Sequence, residues 1–176
     1  MDFTITTKRL LLRSMKLDDV DAIHQLWNES KVRKYLWDDQ IIPKNQAIDL
    51  VKDSIVSFQD NKFGLWGVFF REETQLIGFS GFWYFHESPQ LELLFGIAPN
   101  YWGQGLAAEV AKAMIKYGFE CLGFQRIMAS ADRENTASLR VMEKAGMKLE
   151  RTEYNNNVET VYYSLDLDSF LVKSKT

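Results

Sequence analysis

The sequence predicts a single mixed α/β domain, and three observations carry that prediction. The 176 residues are 46% hydrophobic and 26% charged, enough apolar material for one substantial core over residues 1–176 without staples. Hydrophobic periodicity switches between strand-like and helical along the chain, in the order β-α-α-β-β-β-α-β-α-β-β. Near the middle, a buried strand runs through a two-glycine turn straight into a helix. No linker, repeat or low-complexity tract interrupts the pattern.

Composition removes several classes of function. A formal charge of −3, with no Lys/Arg stripe, gives no electrostatic case for nucleic acid. Cys121 is the only cysteine, so no internal disulfide forms and a reducing compartment is expected. It continues the apolar face of a helix and reads as core rather than nucleophile. The N-terminal MDFTITTKRL lacks a basic stretch followed by an apolar one, and no run is long enough to span a bilayer. A cytoplasmic protein with no membrane partner is expected. The 2 histidines and lone cysteine offer no metal-ligand spacing.

Residues 7–15 (TKRLLLRSM) form the first strand, with Leu10 and Leu12 on one face and Leu11 on the other. Asp18 caps a helix that places Val20, Ile23 and Trp27 on one stripe, with His24 beside it as a structural or surface residue. Residues 31–42 (KVRKYLWDDQII) read as loop with at most one helical turn. Pro43 opens a helix whose buried face is Ala47, Leu50, Val51, Ile55 and Phe58. Residues 64–71 and 75–85 are two strands joined by a turn, a hairpin pattern. Phe79, Phe82, Trp83, Tyr84 and Phe85 alternate across both faces; sheet packing is their expected use, with an acceptor pocket as the alternative. Residues 91–96 (LELLFG) are a buried strand holding one carboxylate. A helix from about Gly105 buries Leu106, Val110, Ala113, Met114 and Tyr117. Residues 124–131 are a strand, and residues 132–145 a helix with Ala137, Val141, Met142 and Ala145 inward, stopped by Gly146. Residues 147–154 and 158–167 are strands joined at 155–157, asparagines tolerant of left-handed angles. The two later helices are crossovers, so the strands they join run parallel or splay around a cleft.

The chain is organised around residues 97–111, IAPNYWGQGLAAEVA. The first turn of a helix leaves backbone N–H groups without internal partners and carries partial positive charge. Gly103 and Gly105 would let a phosphate reach those donors without meeting a Cβ. A tight turn that needs glycine only for its backbone angles explains the same residues. The six-residue dinucleotide fingerprint is incomplete, and no Lys-Ser/Thr follows as a nucleotide-triphosphate loop requires.

Further residues decide between these readings. Residues 97–150 resemble the acetyl-CoA-binding half of the GNAT N-acetyltransferase superfamily. Within them, Asn135-Thr136-Ala137-Ser138 followed by EKAGM resembles the family's second signature, and TTKRLLLR is similar to the opening strand of the ribosomal-protein N-terminal (RimJ/RimL-type) branch. The resemblance runs over residues 5–167 in the right order. It implies the acyl-CoA N-acyltransferase fold, a mixed central sheet of about seven strands flanked by about four helices, with a splayed strand pair binding the cofactor. The family's phosphate motif falls on Trp102-Gly103-Gln104-Gly105-Leu106-Ala107, departing from it at Trp102, where a polar or basic residue is usual. By resemblance, the N–H groups from about Gln104 to Ala108 bind the pyrophosphate of acetyl-CoA, and the backbone of Ile97 and Ala98 pairs with the pantetheine arm. Asn135 matches the position that holds the cofactor through its side-chain amide.

Attack of an amine on a thioester needs a neutral amine, a stabilised oxyanion and an acid for the departing thiolate. A lysine-type amine with a pKa of ~10.4 is neutral in only about one part in a few thousand at pH 7, an α-amine near ~8 in about a tenth. Glu92 is the candidate base, since burial within LELLFG would raise its pKa toward the useful range; a solvent-facing strand residue is the alternative. Ser138 is the candidate thiolate acid by resemblance, against simple back-bonding to its helix. Tyr154 and Tyr162 are weaker candidates for that role, and His86 and Glu87 for meeting the acceptor. The oxyanion donor is expected, by resemblance, to be a backbone N–H near Ile97. The acceptor is expected to be a protein or peptide N-terminal α-amine. A small-molecule amine (polyamine, amino acid or aminoglycoside) remains the alternative, favoured if Asp38, Asp39 and Glu87 line one groove. A non-catalytic acetyl-CoA-binding regulatory module is the reading from another class. Monomer and homodimer both stay open.

Overall fold

The computed structural model describes residues 3–85, 90–155 and 157–173. Among them the elements run β1 (Thr4–Thr6), β2 (Leu10–Ser14), α1 (Val20–Asn28), α2 (Ser30–Leu36), α3 (Lys44–Asn61), β3 (Leu65–Phe70), β4 (Leu76–Phe85) and β5 (Gln90–Ile97). There follow α4 (Leu106–Glu120), β6 (Arg126–Asp132), α5 (Thr136–Lys144), β7 (Lys148–Asn155), β8 (Val158–Asp166) and α6 (Leu167–Lys173). All strands join one 8-stranded sheet in the order β1-β2-β3-β4-β5-β6-β8-β7.

Every neighbouring pair is antiparallel except β5 and β6. That parallel pair meets at one register point, Glu92 opposite Met128, near the start of both strands. No register pair follows it, so the sheet opens as a wedge toward their C-terminal ends. The apolar stripe of α4 closes one face, with Leu106, Val110 and Met114 in the same core as Phe82, Leu93 and Ile127. On the other face Val20, Ile23 and Trp27 of α1 and Ala47 and Val51 of α3 cover Leu65 and Phe79. Helices on both faces of a mixed sheet satisfy the burial that the two periodicities require.

Several local expectations need correction. Residues 7–15 do not make one strand: the Thr7 hydroxyl and carbonyl of Leu10 close a turn, and a short β1 precedes it. The region expected as loop forms α2, because the Glu29 carboxylate accepts from the N–H groups of Lys31 and Val32. Glutamate is not among the usual caps, so the signal was weak. Asp18 does not cap α1. Asp19 takes the structural role, accepting from both guanidinium ends of Arg13 at 2.7 Å and from the Lys16 N–H at 2.8 Å. The helix expected from 132 begins at Thr136, since β6 continues through Asp132, and Ala137 is exposed rather than inward. Cys121 is exposed, because α4 stops at Glu120 and Gly118 and Phe119 fill its last buried turn. The sequence pattern also gave no sign of α6. No described helix is long and apolar enough to cross a membrane.

Candidate active site

The turn between β5 and α4 presents a row of backbone donors. Gly103 and Gly105 have φ of +78° and +75°, angles that glycine adopts without strain, so the conformational reading of both is correct as far as it goes. Among the described residues, the N–H groups of residues 103–108 have no hydrogen-bond partner, and the first bond into α4 runs from Glu109 N to Gly105 O at 3.2 Å. A Cβ on Gly103 would meet nothing within 4 Å. These donors sit where the α4 dipole is positive, which is the physical requirement of an anion cradle.

Trp102, half-exposed, turns its indole back onto the strand, with Nε1 donating to the Ile97 carbonyl at 2.6 Å. Lys31 Nζ of α2 lies 5.9 Å from the centre of its ring. The Ala98 N–H donates to Ile77 O at 2.8 Å, so it is spent inside the sheet. Antiparallel alternation then turns the N–H of Ile97, and that of Phe95 two residues earlier, away from β4 and into the wedge. Of the Ile97–Ala98 pair, the N–H facing a ligand in the wedge is therefore that of Ile97.

Glu92 stands at the apex of the wedge. It is 2% exposed and accepts a 2.6 Å hydrogen bond from Ser130 Oγ of β6. The solvent-facing alternative does not hold. Ser130 lies opposite Tyr162 of β8, and the Arg151 guanidinium stacks 3.9 Å from the Tyr162 ring centre. Burial first, then the charges of Glu153 and Glu92, push the Tyr162 hydroxyl above its usual range. Its hydrogen bond with Glu153 makes it a poor proton donor. Tyr154 is 69% exposed on the β7–β8 hairpin. Ser138 lies in the first turn of α5, where its N–H donates to the Asn135 side-chain oxygen at 3.2 Å. Its hydroxyl makes no hydrogen bond among the described residues, so back-bonding does not account for it. Asn135 thus spends its oxygen as the α5 cap and keeps its amide N–H₂ for other partners. His86 and Glu87 fall outside the described residues.

Beside Glu92, on the same face, a cavity of about 40 Å³ is lined by Trp27, Leu36, Trp37, Leu50, Trp83 and Leu94, among others. Trp83 is the cross-strand partner of Glu92. The indole N–H groups of Trp27 and Trp37 are buried without a partner among the described residues. At the far end of β6, on the Ser130 face, burial and the charges of Asp38 and Glu134 push the Asp132 carboxyl above its usual range. Asp39 instead pairs with Arg33 at 2.9 Å.

The sequence model described as Acetyltransferase (GNAT) domain matches residues 9–148. The chain belongs to this family. It is 32% identical over 151 residues to the uncharacterized N-acetyltransferase p20 of Bacillus licheniformis, covering 84% of this chain and 83% of that one. It is 25% identical over 139 residues to the spermidine N(1)-acetyltransferase of Escherichia coli K12, covering 79% and 73%. The solved structure of RimL, a ribosomal L7/L12 α-N-protein acetyltransferase in complex with coenzyme A, superposes with a TM-score of 0.79 at 19% identity, covering 95% and 99%. This GNAT protein is therefore an acetyl-CoA-dependent N-acetyltransferase.

Its residues fit that co-substrate. The unpartnered donors of the 103–108 turn suit a pyrophosphate, and the wedge offers strand-edge N–H groups to an extended amide chain. Sequence reasoning missed Ser130, Phe95, Lys31 and the Trp27–Trp37 pair. No local motif marks them: each acquires its position only when the wedge and α2 form. Ser130 was the most accessible, since FQRIMASA alternates and places it on one face with Met128.

Proposed function

We propose that this GNAT enzyme acetylates the α-amine of a protein or peptide N-terminus, with Glu92 as the base. The carrying observation is the cavity next to Glu92. Among the described residues its lining is uncharged and includes the indoles of Trp27 and Trp37, whose N–H groups are buried without a partner among those residues. Such an apolar site suits a small uncharged side group; a second ammonium there would find no anion among the described lining residues. Glu92, held by Ser130, takes the proton of the incoming ammonium, a modest task for an α-amine that is already about a tenth neutral at pH 7. Acetyl-CoA supplies the acetyl group as a thioester. The N–H groups of residues 103–108 hold its phosphates, those of Ile97 and Phe95 orient the chain in the wedge, and the Asn135 amide adds a side-chain donor. As the C–S bond breaks, the Ser138 hydroxyl passes to the thiolate the second proton, shed by the newly acylated nitrogen, so that the serine ends neutral.

A second reading has its own support. Asp132, Asp38 and Glu134 gather negative charge at the C-terminal end of β6, which favours a polycationic acceptor. Thiol release from acetyl-CoA separates the two when measured against short peptides with free N-termini and against spermidine, amino acids and aminoglycosides. Turnover with peptides is the expected result, and turnover with spermidine alone overturns the reading. Binding of acetyl-CoA without turnover in either pool favours the regulatory module.

A further inference from the structure

We propose that Arg9 is a positioning residue for the phosphate turn, fixing the direction of the Gly105 N–H and neutralising Glu109 at the head of α4. The inference rests on the reading that residues 103–108 take the pyrophosphate. Arg9 lies in the β1–β2 connection, far from the turn in sequence. Its Nη1 donates to the Gln104 carbonyl at 2.9 Å. Its Nε donates to Glu109 Oε2 at 2.7 Å, and Nη2 meets the same oxygen at 2.7 Å. The Arg9 N–H and the Thr7 hydroxyl donate to Glu109 Oε1 at 3.0 and 2.6 Å. One guanidinium thereby holds both the glycine turn and the first turn of the helix behind it.

Two consequences follow from elementary geometry and charge. The Gln104 C=O and the Gly105 N–H belong to one planar trans peptide and point in opposite directions. Anchoring the carbonyl on Arg9 turns the Gly105 N–H to the other side of the turn, away from the protein. Glycine leaves that peptide free to rotate otherwise, so the anchor replaces the rigidity that a side chain would give. The second consequence concerns Glu109. A carboxylate in the first helical turn stabilises the helix but repels any second anion using the same N–H groups. Burial works against its ionisation, yet hydrogen bonds from Thr7 and Arg9 outweigh it and keep the carboxyl below its usual range. Glu109 is therefore an anion at neutral pH, and Arg9 is its cation among the described residues.

Titration calorimetry with CoA and with pantetheine, which lacks the pyrophosphate, tests this. Arg9→Met is expected to weaken CoA about tenfold or more and to leave pantetheine unchanged. In kinetics, KM for acetyl-CoA rises while kcat holds. Adding Glu109→Gln recovers most of the CoA affinity, because the unpaired carboxylate is gone; a purely structural link would lose further. Arg9→Lys, which keeps the charge without the Nη1 bond to Gln104, falls between and carries the test should the methionine variant misfold. An unchanged Kd for CoA in Arg9→Met, or no recovery with Glu109→Gln, overturns the proposal. Gly103→Ala reads the turn itself: its Cβ would meet no protein atom within 4 Å, but at a φ of +78° a side chain strains the backbone and shifts the turn's N–H groups. If it weakens CoA while Arg9→Met does not, the Arg9 inference alone fails. If neither variant changes CoA binding, the placement of the pyrophosphate fails with it.

Discussion

Glu92→Gln is the decisive perturbation of the proposed chemistry. The amide is isosteric and its oxygen still accepts from Ser130 Oγ, now 2.6 Å from the carboxylate, so the apex of the wedge keeps its shape. The proton acceptor is lost. A positioned general base contributes about 10²–10⁴-fold, equivalent to about 2.7–5.4 kcal/mol of barrier. At pH 7 the variant should therefore lose that factor in kcat, with KM for acetyl-CoA unchanged. The base acts by removing a proton from the acceptor, and an α-amine of pKa ~8 sheds that proton unaided in alkali. The gap between Glu92→Gln and wild type should then narrow as pH rises to about 9, where most of such an amine is already neutral. Thiol release measured across pH 6.5–9.5, a range of about three units around that pKa, reads both effects. Wild-type turnover of Glu92→Gln at pH 7 would refute the assignment. A gap that stays constant with pH would show that Glu92 acts on something other than the amine proton.

Three other outcomes are expected. Ser138→Ala should lower kcat about a hundredfold while CoA affinity holds, whereas Tyr162→Phe, whose hydroxyl is engaged by Glu153, should cost much less; single-turnover kinetics separates them. Asp19→Asn should lower stability in urea by about 2 kcal/mol or more, below the ~3–5 kcal/mol of a fully buried pair because 25% of the Arg13 side chain remains exposed. Burial opposes ionisation of Asp19, but Arg13 and the Lys16 N–H depress its folded pKa below the ordinary 3.8. That contribution is full above 3.8 and disappears as pH falls through the folded value, so the difference between wild type and variant should close in acid. Gly96→Ala would put a Cβ 2.4 Å from the Phe79 ring. The overpacking should cost about 1–3 kcal/mol, visible as a fall in Tm of about 2–4 °C per kcal/mol for a chain of this size.

The fold was legible where periodicity and punctuation agreed. LELLFG, the glycine turn and the stripe of α4 located the centre of the domain, whereas the head of α5 was expected at Asp132 and lies at Thr136. Failures came where a side chain reached out of its own element. Glu29 caps α2 although its type is neutral evidence, and Asp19 rather than Asp18 is chosen because Arg13 on β2 lies within reach. Cys121 continued a helical pattern that the backbone abandons one residue earlier. At the site, Glu92 could be suspected from its apolar neighbours, but not its contact with Ser130, because the β5–β6 pairing spans a helix and a connection. The Arg9 clamp was invisible for the same reason, being a contact across a sequence separation of 100 residues.

The wedge between β5 and β6 also gives a bound ligand a way to hold the sheet closed. A sheet that stops pairing after Glu92 and Met128 leaves two inner strand edges available for opening, the seam with the fewest paired residues in the sheet. A bound extended chain acts there as a partial ninth strand. Ligand at a hundred times its Kd adds about 2.7 kcal/mol to folding stability, enough to reduce transient opening roughly a hundredfold. Proteases cut what opens, so a cell short of acetyl-CoA should clear this enzyme faster than a well-fed one, coupling its abundance to the supply of the group it transfers.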